Sequence, residues 1–293
     1  MNEADSNLQQ TSLIANLAGE WPCVPFGNLN TALNLPDDWP NVKNNEIDQF
    51  PHGYGANNVW KINKISQNII EASIEYPKNH PIKKLVRRIE LGLENNIINF
   101  QLDIFSKQKT EIPFAIHPTF NIDNNSSASY KLEIDDDVRA WTYPVDLEAN
   151  QSLFKPNQQN VSIKAIQNNE GNIIDVMSLP FSTESEDLLM LVNVKGKIGP
   201  INTVEKYKIE LKWDNNILPN CVLWYSQGGR KYPPWNGRNF ALGIEPCAAA
   251  FDLGKSISCS NQTPLANAGI KTTITLSPEQ AFSFKYSIEI TQL

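Results

Sequence analysis

Two titratable side chains in this sequence directly follow apolar runs, and each precedes a proline. His117 stands in the stretch FAIHP and Glu245 in the stretch FALGIEP. An apolar run that stops at a proline predicts a β-strand ending at a loop, where a β scaffold carries its functional side chains. An imidazole has an ordinary pKa of about 6.5 and can give or take a proton near neutrality. One imidazole and one carboxylate therefore suggest acid–base chemistry.

Further candidates lie in two Gly- and Pro-rich segments. His52 stands between Pro51 and Gly53 in FPHGYGANNVW, and aromatic residues cluster around the loop QGGRKYPPWNGRN. Aromatic rings in such a loop suit stacking on the face of a sugar. The aromatic candidates are Trp224, Tyr225, Tyr232 and Trp235.

Each of these residues also has a purely structural interpretation. A histidine before a proline can satisfy a loop hydrogen bond, a carboxylate at a strand end can be solvated or paired, and the aromatic rings can be core. His80, in KNHPIKK, has basic and polar neighbours and is expected in an exposed turn. Taken singly, none of the candidates is specific.

The elements that must position these residues are predicted to be β-strands. In IINFQLDIF, KYKIELKW and the C-terminal FSFKYSIEI, apolar and polar residues alternate with the period of a half-buried antiparallel strand. YKLEI (130–134) and IKTTITL (270–276) follow the same rule, and the segments between strands are rich in Asn, Pro, Gly and Asp. The pattern predicts an all-β fold, a large antiparallel sandwich forming one domain with little helix.

Composition narrows the possible partners. The 293 residues carry a formal net charge of −7, which gives no electrostatic reason to bind nucleic acid or an anionic membrane surface. The short basic stretch KKLVRR (83–88) is expected on a solvated strand face. No run approaches the roughly 20 apolar residues of a membrane span, and the N-terminus is not a secretory signal, so a cytoplasmic protein is expected.

The four cysteines are expected to be buried free thiols: Cys23, Cys221, Cys247 and Cys259.

The order of three motifs resembles a known family. An HG segment followed by a tryptophan, then HPTFN, then GIEPCAAAFDLG is similar to the aldose 1-epimerase (galactose mutarotase) superfamily. The resemblance covers residues 19–293 and implies a β-supersandwich with an open cleft. Residues 1–18 are expected to be a polar N-terminal segment, flexible or a remnant of missing first strands.

The resemblance also implies the chemistry. It assigns Glu245 as the catalytic base and His117 as the catalytic acid, on opposite sides of the C1–O5 region of a hexose, with His52 holding the substrate. The base removes the C1 hydroxyl proton while the acid protonates the ring oxygen, the ring opens, and closure on the other face interconverts the α and β anomers. Neither a metal nor a cofactor is required. The expected partner is a small-molecule sugar, bound by a monomer or homodimer.

Departures from the family pattern leave alternatives open. No arginine precedes Arg87, although many relatives supply one to the sugar from the early region, and no acidic residue matches the one used on a distal hydroxyl. A phosphorylated hexose is one alternative substrate, with phosphate partners drawn from Arg230, Lys231 and Arg238. A non-catalytic carbohydrate-binding protein is a second alternative. A glycoside hydrolase using Glu245 with Asp252 or the run Asp135–Asp137 is a third.

Overall fold

The computed structural model describes residues 19–28, 34–42, 49–92, 96–122, 124, 129–135 and 137–293. The predicted N-terminal segment 1–18 lies outside the described residues. Helix is confined, in the described part, to one 3-10 turn (Ile163–Ala165) and three short α-helices, α1 (Tyr54–Asn57), α2 (Gly254–Ser258) and α3 (Pro264–Asn267). The strands are β1 (Pro22–Cys23), β2 (Lys61–Lys64), β3 (Ile69–Glu75), β4 (Ile82–Leu91), β5 (Ile97–Ser106), β6 (Thr110–Ile112), β7 (Phe114–Ile116), β8 (Thr119–Asn121), β9 (Tyr130–Glu133), β10 (Arg139–Thr142), β11 (Val161–Ser162), β12 (Ser178–Leu179), β13 (Ser185–Val192), β14 (Lys197–Asn202), β15 (Tyr207–Trp213), β16 (Asn220–Gln227), β17 (Phe240–Ala248), β18 (Ile274–Leu276) and β19 (Phe282–Gln292).

The strands form two large antiparallel sheets, which confirms the predicted all-β sandwich. The first sheet has eight strands in the order β1-β7-β17-β16-β13-β10-β11, with β8 also paired to β17. The second has nine in the order β12-β9-β14-β15-β19-β5-β4-β3-β2. A small third sheet pairs β18 with β6.

The eight-stranded sheet is buried on both faces. Along β16, Leu223 and Tyr225 pack into the core between the two large sheets, whereas Val222 and Trp224 belong to a second apolar cluster on the far face. Every residue of β13 and β16 is buried. Strands covered on both faces need no polar alternation, so their sequences read as continuous apolar runs. The alternation rule therefore found four strands of the nine-stranded sheet, β5, β9, β15 and β19, and missed β13 and β16.

Two residues expected at the surface are buried. His80 is buried, with 6% of its surface exposed, because its Nδ1 accepts the backbone N–H of Ile82 and its ring lies against Tyr76. Within KKLVRR, Arg87 points into the sandwich and forms an ion pair with Glu20.

The remaining corrections are smaller. Cys259 is exposed, although the other three thiols are buried as predicted. The strand expected over 270–276 is shorter, since only Ile274–Leu276 pairs with a neighbour. In the described part of the chain, no helix is long and apolar enough to cross a membrane.

Candidate active site

Strand register explains why His117 meets Glu245. Strand β17 pairs with β8 through Gly243 opposite Thr119, and with β7 through Cys247 opposite Ala115. The same register continued across the gap between β7 and β8 puts His117 opposite Glu245. Directly opposed residues of an antiparallel pair have neighbouring Cβ atoms on one face. The break after β7 comes at a proline, which has no N–H to donate to the ladder.

A glycine makes room for the carboxylate. Gly243 lies two residues before Glu245 and therefore on the same face of β17. A Cβ at Gly243 would lie 2.8 Å from Glu245 Oε1 and 3.0 Å from the Cβ of Trp224. The G-x-E spacing seen in the sequence thus has a steric reason.

The two side chains are in direct contact. His117 Nε2 lies 3.1 Å from Glu245 Oε1, and both residues are buried, at 5% and 2% exposure. On the other side of the ring, Thr119 Oγ1 lies 3.2 Å from Nδ1. A hydroxyl that accepts from Nδ1–H leaves Nε2 of the neutral imidazole as the acceptor that can share a proton with Glu245.

Two aromatic rings hold the histidines in place. Trp21 stacks on His117 with ring centroids 4.3 Å apart, and the backbone N–H of His117 donates to Trp21 O. Phe26 stacks on His52 at 5.2 Å, and the His52 ring meets the edge of His117 at 5.4 Å. The segment 19–28, which carries both aromatic residues, therefore brings the two histidines together.

His52 sits in a constrained turn. Its φ is 59°, a left-handed conformation that is uncommon for a residue with a side chain. The next residue, Gly53, has φ 90°, and a Cβ there would lie 2.3 Å from Val24 O. The backbone N–H of His52 donates to Gly27 O at 2.6 Å, so close packing against residues 24–27 fixes the turn.

Burial changes the titration of all three groups. The pKa of Glu245 is raised well above its ordinary value, first by burial and then by the charge of Asp252. The pKa of His117 is lowered well below its ordinary value, first by burial and then by the neighbouring His52. The pKa of His52 is lowered to about 4 by burial and by the charge of Arg230. These shifts favour a neutral His117–Glu245 pair that holds one proton between a nitrogen and an oxygen.

An aromatic and charged surface adjoins the pair. The Trp224 ring meets His117 edge-on at 5.9 Å, and Trp235 meets Trp224 at 6.4 Å. The guanidinium of Arg230 lies over both tryptophan rings, at 5.5 and 5.0 Å from their centroids. Thus Trp224, Trp235 and Arg230, three of the predicted site residues, lie in one continuous cluster with His117.

The cluster contains an acid that the sequence did not reveal. Glu186, on β13, is completely buried; its carboxylate accepts the indole N–H of Trp224 at 3.0 Å and the hydroxyl of Ser226 at 2.5 Å. Its Oε2 lies 3.8 Å from Arg230 Nε. Burial raises the pKa of Glu186, whereas Arg230 and the two hydrogen bonds oppose that rise. The polar pair Glu186–Asp187 at the start of an apolar run was the available signal.

Other predicted residues lie farther out or elsewhere. Arg238 is exposed, and in the described part of the chain no hydrogen bond or ion pair links its guanidinium to the site. Tyr232 is half exposed and donates to Glu148 Oε1 at 2.8 Å. Tyr225 is a core residue between the sheets and donates to Val176 O.

The two acidic groups nominated for a hydrolase differ in position. Asp252 is buried, accepts a hydrogen bond from Tyr143 and has a raised pKa, chiefly because of burial. The negative charge of Asp252 contributes to the raised pKa of Glu245. Asp135 instead forms an ion pair with Lys195 at 3.2 Å and is not part of the site. The described residues contain no group of three or more His, Cys, Asp and Glu side chains that could hold a metal ion.

Comparison with known proteins supports the fold. No protein-family model and no curated protein matches this sequence. Solved structures do match: a candidate aldose 1-epimerase from Escherichia coli K12 has 14% identity and a TM-score of 0.58, over 94% of this chain and 84% of that one. A galactose mutarotase-like protein from Clostridium acetobutylicum has 14% identity and a TM-score of 0.55, over 100% and 85% of the two chains.

A third match agrees with these two. A galactose mutarotase-like protein from Lactobacillus casei has 14% identity and a TM-score of 0.53, over 83% of this chain and 76% of that one. Identities this low carry the fold and not the activity. The chain therefore has the β-sandwich fold of galactose mutarotase-like proteins, as its motifs predicted.

Proposed function

We propose that this protein is an aldose 1-epimerase-like isomerase that interconverts the α and β anomers of a free hexose. The observation that carries the proposal is the 3.1 Å contact between His117 Nε2 and Glu245 Oε1 in a buried site. Burying two titratable groups costs free energy unless they are paired, and buried pairs with shifted pKa values cluster at functional sites. The chain also shares its fold with solved structures named as a candidate aldose 1-epimerase and as galactose mutarotase-like proteins, which motivates this choice of reaction.

The contact refines the predicted geometry. The acid and the base were expected on opposite sides of the reacting centre, whereas His117 Nε2 and Glu245 Oε1 are in direct contact. The C1 hydroxyl oxygen and the ring oxygen O5 are bonded to the same carbon, so adjacent acid and base groups can reach both from one side.

The proposed reaction moves two protons and breaks one bond. Glu245, as carboxylate, takes the proton of the C1 hydroxyl, and His117 gives its Nε2 proton to O5 as the C1–O5 bond breaks. The C1–O1 bond becomes the carbonyl of the open-chain aldehyde. After rotation about C1–C2, O5 attacks the other face, and both protons return to their donors. Each correctly placed proton-transfer group contributes ~10²–10⁴-fold.

The raised pKa of Glu245 suits this role. A carboxyl group whose pKa is moved toward neutrality is a stronger base when ionised and still releases its proton readily. Trp224, which meets the His117 ring edge-on, offers an apolar surface for the sugar ring. His52 is proposed to orient the substrate, because its buried Nδ1 has no hydrogen-bond partner among the described residues.

Anomer equilibration tests the proposal. A freshly dissolved pure α anomer is followed by polarimetry or proton NMR over a panel of glucose, galactose and mannose, with and without protein. The parent protein should accelerate the approach to equilibrium for at least one hexose. Glu245→Gln, which keeps the size and removes the basic carboxylate, should lose ~10²-fold or more. Equal rates with and without the parent protein on every sugar would refute the proposal.

A further inference from the structure

Arg230, which lies over Trp224 beside the acid–base pair, is already paired with carboxylates. Arg230 Nε donates to Glu148 Oε1 at 2.9 Å and lies 3.8 Å from Glu186 Oε2. The hydroxyl of Tyr232 donates to the same Glu148 oxygen. One guanidinium thus faces two carboxylates, and the surroundings of Arg230 carry net negative charge when both are ionised.

The position of Arg230 is also fixed by its aromatic neighbours. Its guanidinium lies over the rings of Trp224 and Trp235, and its side chain is only 19% exposed. Cation–π contacts of this kind add to an ion pair when the group is partly desolvated. To bind a phosphate, Arg230 would have to release Glu148 or tolerate it beside the incoming anion.

The other two basic residues of the loop offer no substitute. Lys231 forms an ion pair with Glu184, both largely exposed, and Arg238 is exposed without a link to the site. In the described part of the loop, the three cations that could have received a phosphate therefore do not converge on His117. Two of them are paired with carboxylates.

From this arrangement we propose that Glu148 is a specificity-determining residue: it occupies Arg230 and excludes anionic sugars, so that the substrate class is an uncharged hexose. This inference rests on the proposed function and assigns a residue to its choice of a free over a phosphorylated sugar. A like charge placed against a wrong ligand costs binding free energy, and specific sites use such repulsion as well as good contacts to the right ligand.

Calorimetric binding tests the exclusion without relying on turnover. Glucose and glucose 6-phosphate, and galactose and galactose 6-phosphate, are titrated into the parent protein and three variants. The parent should prefer the free sugar by about tenfold or more. Glu148→Gln keeps the shape, removes the charge and frees Arg230, so it should reduce that preference by about tenfold.

Two variants serve as matched controls. Glu148→Asp keeps the charge and should keep the preference. Glu184→Gln makes the same chemical change at the exposed pair with Lys231 and should leave the preference within about twofold of the parent's. Thermal unfolding of each variant confirms that it is folded before it is titrated.

The outcomes separate this proposal from the function on which it rests. Equal affinity of the parent for the free and phosphorylated sugars would overturn the specificity proposal and leave the mutarotase proposal standing. So would an unchanged preference in Glu148→Gln, or an equal loss in Glu184→Gln. If the parent binds neither sugar of either pair, both proposals fall together.

Discussion

The floor of the site, formed by His52, His117 and Glu245, differs from its rim, formed by Glu148, Arg230 and Trp235. His117 and Glu245 sit on or beside paired strands, and His52 sits in a turn packed against residues 24–27. Ring stacking fixes both histidines, and burial moves the pKa values of all three groups. Rim residues come from long connections between strands, and their charges are compensated in pairs. Proton transfer needs fixed distances, whereas a choice among sugars needs only complementary charge. The comparison suggests that the floor sets the reaction and the rim sets the substrate.

The largest effects should come from the floor. His117→Asn removes the proton donor while keeping a polar side chain, so kcat for anomer exchange should fall by ~10²-fold or more with a smaller change in KM. His52→Asn should act mainly on KM, because its proposed role is orientation. Steady-state rates at several sugar concentrations measure both constants. Equal effects on KM and kcat from both substitutions would remove the distinction between acid and orienting residue.

A substitution beneath the rim should have an intermediate effect. Glu186→Gln can still accept the indole N–H of Trp224, but it loses the charge that faces Arg230. Trp224 should be held less firmly, so the sugar should be positioned less well and KM should rise about tenfold. The change in kcat should be smaller, because no reacting group is lost. Tryptophan fluorescence should change in parallel. A kcat loss as large as that of His117→Asn would place Glu186 on the floor instead.

The pH dependence should reveal the charge beside the base. The reactive form has Glu245 ionised and His117 protonated, and it carries the same number of protons as the neutral pair that the two shifts favour. The bell-shaped profile of kcat/KM should therefore fall on the acidic side, where His117 with its lowered pKa brings a second proton to the pair. It should fall on the alkaline side where Glu245 with its raised pKa gives up the shared proton.

Asp252→Asn should shift one side of that profile. The charge of Asp252 raises the pKa of Glu245, so removing it should lower that pKa and move the alkaline limb to lower pH. The acidic limb should move less, because burial and His52 dominate the shift of His117. Tyr143→Phe is the companion variant, since it removes only a hydrogen bond to Asp252. An alkaline limb that stays in place would show that burial alone sets the pKa of the base.

All three floor residues and two of the three rim residues, Arg230 and Trp235, were named from the sequence, whereas Glu148 was not. A motif marks both His117 and Glu245, and cross-strand register brings them together. The expectation of a strand end holds for His117, just after β7, but was wrong for Glu245, because β17 continues through Pro246 to Ala248. Glu186 was missed because β13 is buried on both faces and shows no alternation. The pairing of Arg230 with Glu148 joins residues 82 positions apart in sequence, on connections whose paths no local pattern specifies.

His80 shows the same limit in a single residue. Its polar neighbours predicted an exposed turn, yet the ring is buried, accepts the N–H of Ile82 at 3.0 Å and packs against Tyr76. Side chains that hydrogen-bond their own loop are not distinguished by composition from solvated ones. This histidine also provides the smallest expected effect on catalysis, because its hydrogen bond with Ile82 and its ring contact with Tyr76 lie outside the floor and the rim.

His80→Asn should lower the free energy of unfolding by about 1 kcal/mol at pH 7 through loss of that hydrogen bond and ring contact, and should leave kcat and KM unchanged. Burial, with Lys107 and Lys255 nearby, lowers the pKa of His80 to about 4. Its folded pKa lies below the unfolded value of about 6.5, so the stability it contributes is fully present above the unfolded value. That contribution is lost as the pH falls toward 4, because the unfolded ring gains its proton first. Urea unfolding should therefore show the parent's advantage over the variant at pH 7 shrinking at pH 5. An advantage that grows on acidification would mean that the folded protein favours the charged ring, and a lower kcat in the variant would connect this turn to the site.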